Sequence, residues 1–176
     1  MATAGAAADN APTLSIKDST PEVHNYDPFE ESRPDEIRVL RVHPSASIDD
    51  PVICDLRIVS LGDNPEYAAL SYTWGPPLFD HQITCDGRNF MITGSLHWAL
   101  RRFRATGWQI LWADQICIDQ SNLEERSRQV LLMKDIYEKA LKVFVYLGEG
   151  SSDSQEGVDL MWVSFQQRFS RLLFRA

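Results

Sequence analysis

The first half of the chain carries hydrophobic residues at the two-residue period that is typical of β-strands. Residues 37–43 (IRVLRVH) and 52–61 (VICDLRIVSL) alternate aliphatic with polar or charged side chains, and a Pro/Ser/Asp loop separates them. This pattern predicts an antiparallel hairpin within a lead-in segment, residues 26–66. The run 67–75 (YAALSYTWG) is mostly apolar and aromatic, which predicts a strand covered on both faces.

A second hairpin is predicted in residues 81–93 (HQITCDGRNFMIT), where Asp86 and Gly87 separate two strand-like runs. These two residues accept the positive φ angles of a type I′ turn. From residue 95 the hydrophobic spacing becomes helical, and residues 95–105 predict an amphipathic helix. Its solvated face is predicted to carry Arg101, Arg102 and Arg104.

The rest of the chain alternates short strands with helical patterns. Residues 108–113 (WQILWA) and 142–148 (KVFVYLG) predict strands. Between them, Ser121 and Glu124 form a capping-box pattern that predicts the start of a helix. The apolar face predicted for that helix consists of Val130, Met133, Ile136, Tyr137, Ala140 and Leu141. A last helix is predicted through residues 158–173.

Strands and helices alternate three times, which is the pattern of right-handed crossovers over a parallel sheet. The predicted fold class is therefore α/β, with three layers, a mostly parallel sheet flanked by helices, and an N-terminal antiparallel hairpin. The apolar last helix stops abruptly at Ala176. That ending predicts a domain that is truncated at its C-terminus.

The charge of the chain is uneven along its length. The 176 residues include 17 basic and 25 acidic side chains, which gives a net charge of −8. Residues 1–36 hold eight acids and two bases, a net −6, which leaves 17 acids, 15 bases and a net −2 for the remainder. The first 25 residues have few large apolar side chains, which predicts a disordered acidic tail. No broad basic surface remains for nucleic acid or an anionic membrane.

Three features predict a cytoplasmic protein. No apolar stretch approaches the ~20 residues that are needed to span a bilayer. The first ten residues (MATAGAAADN) lack the basic and apolar regions of a secretion signal. The cysteines are odd in number and widely spaced, which favours reduced thiols over a disulfide framework; they are Cys54, Cys85 and Cys117.

Polar and aromatic side chains follow the ends of the predicted parallel strands. In open α/β sheets, ligands bind outside the carboxyl ends of the strands. The side chains found there are Tyr72, Trp74, Asp114, Gln115, Asp119, Gln120 and Glu149. Together they predict a rim that binds a polar ligand. The alternative is that they cap strand ends and connect loops.

The first turns of the helix after residue 121 carry a second polar group, and two interpretations of it stay open. Glu125 and Gln129 are four residues apart and share a face near the helix N-terminus. They would contact a ligand, with Glu125 as a candidate catalytic carboxylate. In the alternative, these residues cap the helix while Arg126 forms an ion pair with Asp114 or Asp119.

Other reactive side chains predict no chemistry. Cys117 lies between Ile116 and Ile118, which favours a small buried side chain over a nucleophile. The four histidines show no metal-binding spacing, so no metal site is predicted. Neither the glycine-rich dinucleotide fingerprint nor the P-loop motif occurs in the sequence.

Three blocks of the sequence carry a family signature. They are LSYTWG at 70–75, LWADQICIDQ at 111–120, and a helix block with Glu125, Arg126, Gln129, Val130, Met133, Ile136, Tyr137 and Ala140 ahead of Leu147 and Gly148. Their order and spacing resemble the heterokaryon incompatibility (HET) domain of filamentous fungi. The resemblance implies a HET domain at residues 67–176 with its core signature at 67–150.

The resemblance implies a cytoplasmic effector of fungal non-self recognition, whose activation leads to growth arrest or programmed cell death. It implies partners that are either further copies of the chain or other incompatibility proteins, and it implies no obligatory cofactor. The family is distantly similar to Toll/interleukin-1 receptor (TIR) domains, which have a flavodoxin-like parallel sheet and in some members cleave NAD. The alternative function is therefore NAD hydrolysis, with NAD or another nucleotide at the rim.

In TIR domains the catalytic glutamate lies on a helix after the third central strand. Glu149 and Glu156 occupy that position here without a matching motif, so they are positional candidates beside Glu125. The sequence contains no complete catalytic motif. A third hypothesis is an inactive remnant, because HET proteins usually continue well beyond the signature.

Overall fold

A computed structural model describes residues 26–148 and a strand at 160–163. The strands are β1 (Glu36–Val42), β2 (Ile53–Ser60), β3 (Ala68–Tyr72), β4 (His81–Cys85), β5 (Arg88–Ile92), β6 (Ile110–Trp112), β7 (Lys142–Tyr146) and β8 (Leu160–Val163). The helices are α1 (Gly94–Arg104), α2 (Asp114–Cys117) and α3 (Leu123–Lys139). Within these residues the strands form one eight-stranded sheet in the order β5-β4-β2-β1-β6-β3-β7-β8. The tail predicted at 1–25 lies outside the described residues.

The sheet is mixed, which corrects the prediction of a mostly parallel one. Strands β6, β3 and β7 run parallel to one another, and so do β2 and β4. However, β1 is antiparallel to both β2 and β6, β5 is antiparallel to β4, and β8 is antiparallel to β7. The reason is that the N-terminal hairpin belongs to the same sheet, since β1 lies between β2 and β6.

Both predicted hairpins and the first predicted helix are confirmed. Strands β1 and β2 pair from Glu36 opposite Ser60 to the far end of β1. Strands β4 and β5 turn at Asp86 and Gly87, whose φ angles are 51° and 72°. Helix α1 begins one residue before the predicted start, and Thr93 caps it by accepting a hydrogen bond from the Leu96 N–H.

Residues 160–163 form a strand, so the prediction of a helix through residues 158–173 is wrong at this point. The backbone of β8 pairs with β7 in an antiparallel register that sets Leu160 opposite Tyr146. A short apolar run is compatible with either a strand or a helix, and the open edge of β7 decides between them here. The rest of the predicted helix lies outside the described residues.

Helices α1 and α3 pack on opposite faces of the sheet. Phe103 of α1 contacts Phe144 of β7, and Tyr137 of α3 contacts Trp112 of β6, with ring centroids 5.3 and 5.6 Å apart. In the sheet, Trp112 lies beside Ala69 of β3, and Phe144 lies beside the next residue of β3, Leu70. Because consecutive strand residues point to opposite faces, the two aromatic contacts lie on opposite sides of the sheet. The predicted arrangement of three layers is thus present.

Helix α3 differs from its prediction in two details. Its N-cap is Asn122, whose Oδ1 accepts a hydrogen bond from the Glu125 N–H at 3.0 Å. The predicted capping residue, Ser121, instead donates its hydroxyl hydrogen to Asp119 Oδ1 at 2.6 Å. Four of the six residues predicted for its apolar face pack on the core, namely Met133, Ile136, Tyr137 and Ala140, whereas Val130 and Leu141 are exposed and Gln129 is fully buried.

Aliphatic and aromatic side chains from all three layers form a common core. Its largest fully buried apolar side chains include Trp112, Tyr67 and Phe103. Arg38 of β1 is 2% exposed and therefore lies at the same depth. Within residues 26–148 and 160–163, no helix has the length and apolar character to cross a membrane.

Candidate functional site

Trp74 and Asp114 meet where two neighbouring parallel strands end. Trp74 follows β3 by two residues, and Asp114 is the first residue of α2, just after β6. The indole Nε1–H donates a hydrogen bond to Asp114 Oδ2 at 3.0 Å. The two side chains, together with Tyr72 and Gln120, are called the strand-end rim below.

The Asp114 carboxylate is held between hydrogen bonds and an apolar surrounding. Its Oδ1 accepts a hydrogen bond from the Gln115 N–H at 2.8 Å. Burial raises the pKa of Asp114, although the hydrogen bonds from Trp74 and Gln115 oppose that rise. The rim therefore contains a carboxyl group that takes up a proton more readily than an ordinary aspartate.

Tyr72 lies beside this carboxyl group. Burial raises the pKa of the Tyr72 hydroxyl far above its usual range, and the negative charge of Asp114 raises it further. The hydroxyl oxygen has no hydrogen-bond partner among the residues that the structure describes. The rim thus combines an indole, a phenol and a carboxylate, which can accept a polar ligand that stacks on an aromatic ring.

Gln115 and Gln120 hold the rim in place. Gln115 is 2% exposed, and its Oε1 accepts a hydrogen bond from the Thr93 N–H at 3.0 Å. Gln120 donates from Nε2 to the Asp114 carbonyl at 2.9 Å. Nearby, the Ser95 hydroxyl donates to the Thr73 carbonyl at 2.6 Å. These contacts agree with the alternative interpretation of both glutamines, in which they connect loops.

Glu125 forms a separate, deeply buried ion pair with Arg38. Arg38 NH1 lies 2.6 Å from Glu125 Oε1, and NH2 lies 3.1 Å from Oε2, so the pairing is bidentate. The two side chains are 2% and 8% exposed. Glu125 Oε1 also accepts a hydrogen bond from the Asp119 N–H at 2.7 Å, which ties the signature loop to α3.

The other side of the Arg38 guanidinium contacts the segment that precedes β1. NH2 donates to the Asp27 carbonyl at 2.6 Å, and NH1 donates to the Cys117 carbonyl at 3.4 Å. The aromatic rings of Tyr26 and Phe29 lie 4.7 and 4.1 Å from the guanidinium carbon. This group of contacts around Arg38 and Glu125 is called the Arg38 anchor below.

The remaining candidate residues around the start of α3 are described by their contacts within the domain. Gln129 donates from Nε2 to the Glu36 carbonyl at 2.8 Å, so it joins α3 to β1. Arg126 was expected to pair with Asp114 or Asp119, but it is exposed, and the ion-paired carboxylate at the start of α3 is Glu125, whose partner is Arg38. Asp119 Oδ1 accepts hydrogen bonds from the backbone and hydroxyl of Ser121. Among the candidate glutamates, Glu149 and Glu156 lie outside the described residues.

Sequence reasoning missed Arg38, and only weak signals could have found it. It stands between Ile37 and Val39 in an alternating strand, a position that predicts a solvated side chain. Strand β1 is instead buried along most of its length, and the side of β1 that carries Arg38 is covered by Glu125 of α3 and by the rings of Tyr26 and Phe29. Arg104 was missed for a similar reason. It is 8% exposed and donates to the carbonyls of Ser47, Ile48, Asp50 and Pro51, so its predicted place on a solvated face is wrong.

The burial predicted for Cys117 is confirmed. Cys117 is fully buried, and burial raises the pKa of its thiol to about 12, which keeps it protonated and unreactive. Within the described part of the chain, no group of three or more His, Cys, Asp or Glu side chains could hold a metal ion. His97 stacks on His81 with ring centroids 4.8 Å apart.

The fold and the rim together define a mixed α/β domain with a polar site at the ends of its parallel strands. The family model described as "Heterokaryon incompatibility protein (HET)" matches residues 67–173. Because this match covers more than half of the chain, the chain belongs to the HET family. No solved structure matches it.

Two fungal proteins are similar to this chain. "Heterokaryon incompatibility protein 6, OR allele" of Neurospora crassa is 37% identical over 158 residues, which is 81% of this chain and 23% of that protein. "Vegetative incompatibility protein HET-E-1" of Podospora anserina is 32% identical over 99 residues, which is 54% of this chain and 7% of that protein. The chain thus spans less than a quarter of either relative.

Proposed function

We propose that this chain is an effector domain of fungal heterokaryon incompatibility. When it is activated in the cytoplasm, it triggers growth arrest and programmed cell death through contacts with further copies of itself or with other incompatibility proteins. Membership of the HET family and the names of both relatives support a role in incompatibility. No cofactor is required for this role.

The Trp74–Asp114 hydrogen bond is the observation that carries the proposal. It joins two of the three signature blocks at the carboxyl ends of β3 and β6. The Arg38 anchor accounts for Glu125 by burial and ion pairing, but core stability does not account for a half-buried carboxyl group whose pKa is raised. A perturbed carboxyl group at a strand end is typical of a functional site.

Expression in a filamentous fungus tests the proposal. We expect the wild-type chain to reduce colony growth and viability, and we expect Trp74→Phe and Asp114→Asn to restore both. Trp98→Phe is the matched control, because Trp98 is 37% exposed on α1 and lies outside the rim. Thermal unfolding and immunoblotting must show that each variant is folded and present at the wild-type level.

Two outcomes would contradict the site assignment. Folded rim variants that remain as toxic as the wild type would separate the rim from the activity. A Trp98→Phe variant that loses toxicity to the same degree would show that any tryptophan change suffices. A chain that is folded, abundant and harmless would favour the inactive remnant.

A TIR-like NAD hydrolase is the second candidate function. Its support is the position of Tyr72, Trp74 and Asp114 at the ends of the parallel strands β3 and β6, where a flavodoxin-like sheet binds its ligand. Purified protein at high and low concentration would be incubated with NAD, and nicotinamide release would be measured. Release that Asp114→Asn abolishes would support this candidate, whereas toxicity without release would contradict it.

A further inference from the structure

Helix α3 carries apolar side chains on both of its faces: Leu132, Met133, Ile136 and Tyr137 pack on the core, and three aliphatic residues are exposed. Its inward face includes the buried polar residues Glu125 and Gln129, at 8% and 0% exposure. Its outward face carries Leu123, Val130 and Leu131, which are 65%, 53% and 83% exposed. A surface helix normally turns its aliphatic residues to the core and its polar residues to water.

Specific contacts fix the orientation of α3 about its axis. Glu125 is held by the bidentate ion pair with Arg38, and Gln129 donates to the Glu36 carbonyl at 2.8 Å. Both residues lie one turn apart on the same side of α3. Turning Val130 inward would break both contacts, so the outward apolar surface is a built feature of this fold.

The outward residues form a continuous stripe. Positions 123, 127, 130, 131 and 134 recur at three- and four-residue spacing and therefore share one face of the helix. They are Leu123, Ser127, Val130, Leu131 and Lys134, all of them exposed. We call this stripe the α3 outer face. An exposed stripe that is mainly aliphatic marks an interaction surface.

We propose that the α3 outer face binds the same face of a second copy of this chain, with the two helices antiparallel. The proposal deepens the proposed function, since it names the surface through which copies of the effector meet. In an antiparallel pair centred on residue 129, Leu131 of each copy lies level with Ser127 of the other. The small serine side chain leaves room for the leucine, as in close helix packing.

Charge favours the same pairing. With that centre, Glu124 of one copy lies level with Lys134 of the other, because each is five residues from position 129. Glu124 is exposed, and Lys134 forms an exposed ion pair with Glu138 at 3.8 Å. A two-fold interface requires a patch that complements itself, and this one carries both signs around an aliphatic centre.

The size of the surface sets the expected strength. A 17-residue helix is about 25 Å long, so one helix face buries less area than a permanent dimer interface does. We therefore expect a weak, concentration-dependent dimer of the chain. Such an equilibrium suits a domain whose activity is switched on by local concentration.

Sedimentation velocity of the purified chain over a wide concentration range tests the proposal. We expect a reversible dimer, and we expect Leu131→Glu to weaken association about tenfold or more, because it places a charge in the apolar centre. The matched control is Leu78→Glu. Leu78 is 62% exposed in the loop after the rim, and its substitution should leave the association constant unchanged.

A charge exchange distinguishes antiparallel pairing from unspecific contact. Glu124→Lys or Lys134→Glu alone should weaken the dimer about two- to fivefold, and the double variant should restore it. A chain that stays monomeric, a Leu131→Glu variant that associates like the wild type, or a double variant that shows no restoration would overturn the proposal. A toxic chain that is monomeric contradicts this proposal alone, and a dimer without toxicity contradicts only the proposed function.

Discussion

The strand-end rim and the Arg38 anchor contain signature residues of the same family, yet they are built differently. In the anchor, Arg38 and Glu125 are 2% and 8% exposed and share two hydrogen bonds, of 2.6 and 3.1 Å. In the rim, Trp74 and Asp114 are only partly buried and share one hydrogen bond, of 3.0 Å. The anchor pairs its carboxylate with a guanidinium, whereas the Asp114 carboxylate of the rim accepts hydrogen bonds from an indole and a backbone N–H.

The difference separates two reasons for which a residue can belong to a family signature. The anchor joins three elements, because Glu125 of α3 holds both Arg38 of β1 and the backbone of Asp119 in the preceding loop. Its role is to fix the positions of elements in the sheet and its layers. The rim joins only the ends of β3 and β6, so it can be altered without moving the core. Changes in the anchor should therefore lower stability more than changes in the rim do, and changes in the rim should have the larger effect on activity.

The largest expected effect is that of Glu125→Ala on stability. The substitution leaves the Arg38 guanidinium buried without its carboxylate, which should lower the free energy of unfolding by about 3–5 kcal/mol. Urea unfolding measured by tryptophan fluorescence gives the value. The matched control is Glu124→Ala at the exposed neighbouring position, which should change stability by less than about 0.5 kcal/mol.

A second variant shows whether charge pairing or shape matters in the anchor. Replacing both partners, as Arg38→Met with Glu125→Leu, removes the buried charges together. We expect the double variant to be much more stable than Glu125→Ala, because an apolar pair of similar volume can replace a buried ion pair. Equal losses in the two variants would contradict the view that an unpaired charge causes the damage.

Trp74→Phe should have a smaller effect on stability and a larger one on activity. It removes one hydrogen bond to a partly buried carboxylate, which should cost about 1.5 kcal/mol. The Nε1–H of Trp74 lowers the pKa of Asp114, so its removal should raise that pKa further. Carbon-13 NMR of the Asp114 carboxyl group during a pH titration measures the change.

Trp74→Phe should also change the way in which stability depends on pH. The pKa of Asp114 in the folded state lies above its unfolded value of 3.8, so the folded state binds the proton more tightly. Ionisation of Asp114 therefore lowers stability as pH rises through the folded pKa. Because Trp74→Phe raises that pKa, its stability deficit should be larger at neutral pH than in acid. A deficit that is independent of pH would contradict the assignment.

Asn122→Ala tests the end of α3 that carries Glu125. The variant loses the cap on the Glu125 N–H and should lower stability by about 1 kcal/mol. Ser121→Ala is the control, because the Ser121 hydroxyl bonds to the exposed loop at Asp119 and not to the helix. Its effect should stay below about 0.5 kcal/mol. The capping box that the sequence predicts would give the reverse order.

Local sequence patterns were sufficient to predict most of the strands and helices. The hairpin turn at Asp86 and Gly87, the alternation in β1 and β2, and the spacing in α1 all appear close to their predicted places. Each depends on the residues within one element or one turn. The meeting of Trp74 and Asp114 could be predicted for a related reason, because the ends of parallel strands lie at one edge of a sheet whatever the details of packing.

Long-range pairing was beyond those patterns. Nothing in the alternation of β1 says that Glu125 of α3, 87 residues later in the sequence, covers the Arg38 side chain, so the burial of Arg38 could not be predicted. The inward position of Glu125 and Gln129 follows from the same fact, because both side chains contact β1. The open edge of β7 likewise decides that residues 160–163 form a strand. Each error was a local preference overridden by a distant partner.

Replacing His97 should have the smallest effect, and that effect is on the pH dependence of stability. It removes one contribution to the acid response, so that the contribution of Asp114 in the rim can be measured by itself. Burial, the neighbouring His81, and the charges of Arg101 and Arg104 lower the pKa of His97 from 6.5 to about 4. The unfolded chain therefore binds a proton as pH falls from 6.5 towards 4 while the folded chain does not, so stability is lost in that range.

His97→Phe should remove that loss without breaking a hydrogen bond at Nδ1, which has no hydrogen-bond partner in the described residues. The side chain is partly exposed, so the recovered stability at acid pH should be less than about 1 kcal/mol. Urea unfolding at several values between pH 6.5 and 4 compares the slopes of variant and wild type. Protonation of Asp114 acts in the opposite direction, since it favours the folded state. With His97 replaced, the stability of the domain should therefore fall less steeply as the pH is lowered. Adding Trp74→Phe to that variant should then change only the contribution of Asp114 to the pH dependence. Identical slopes in wild type and His97→Phe would show that other groups control the acid response.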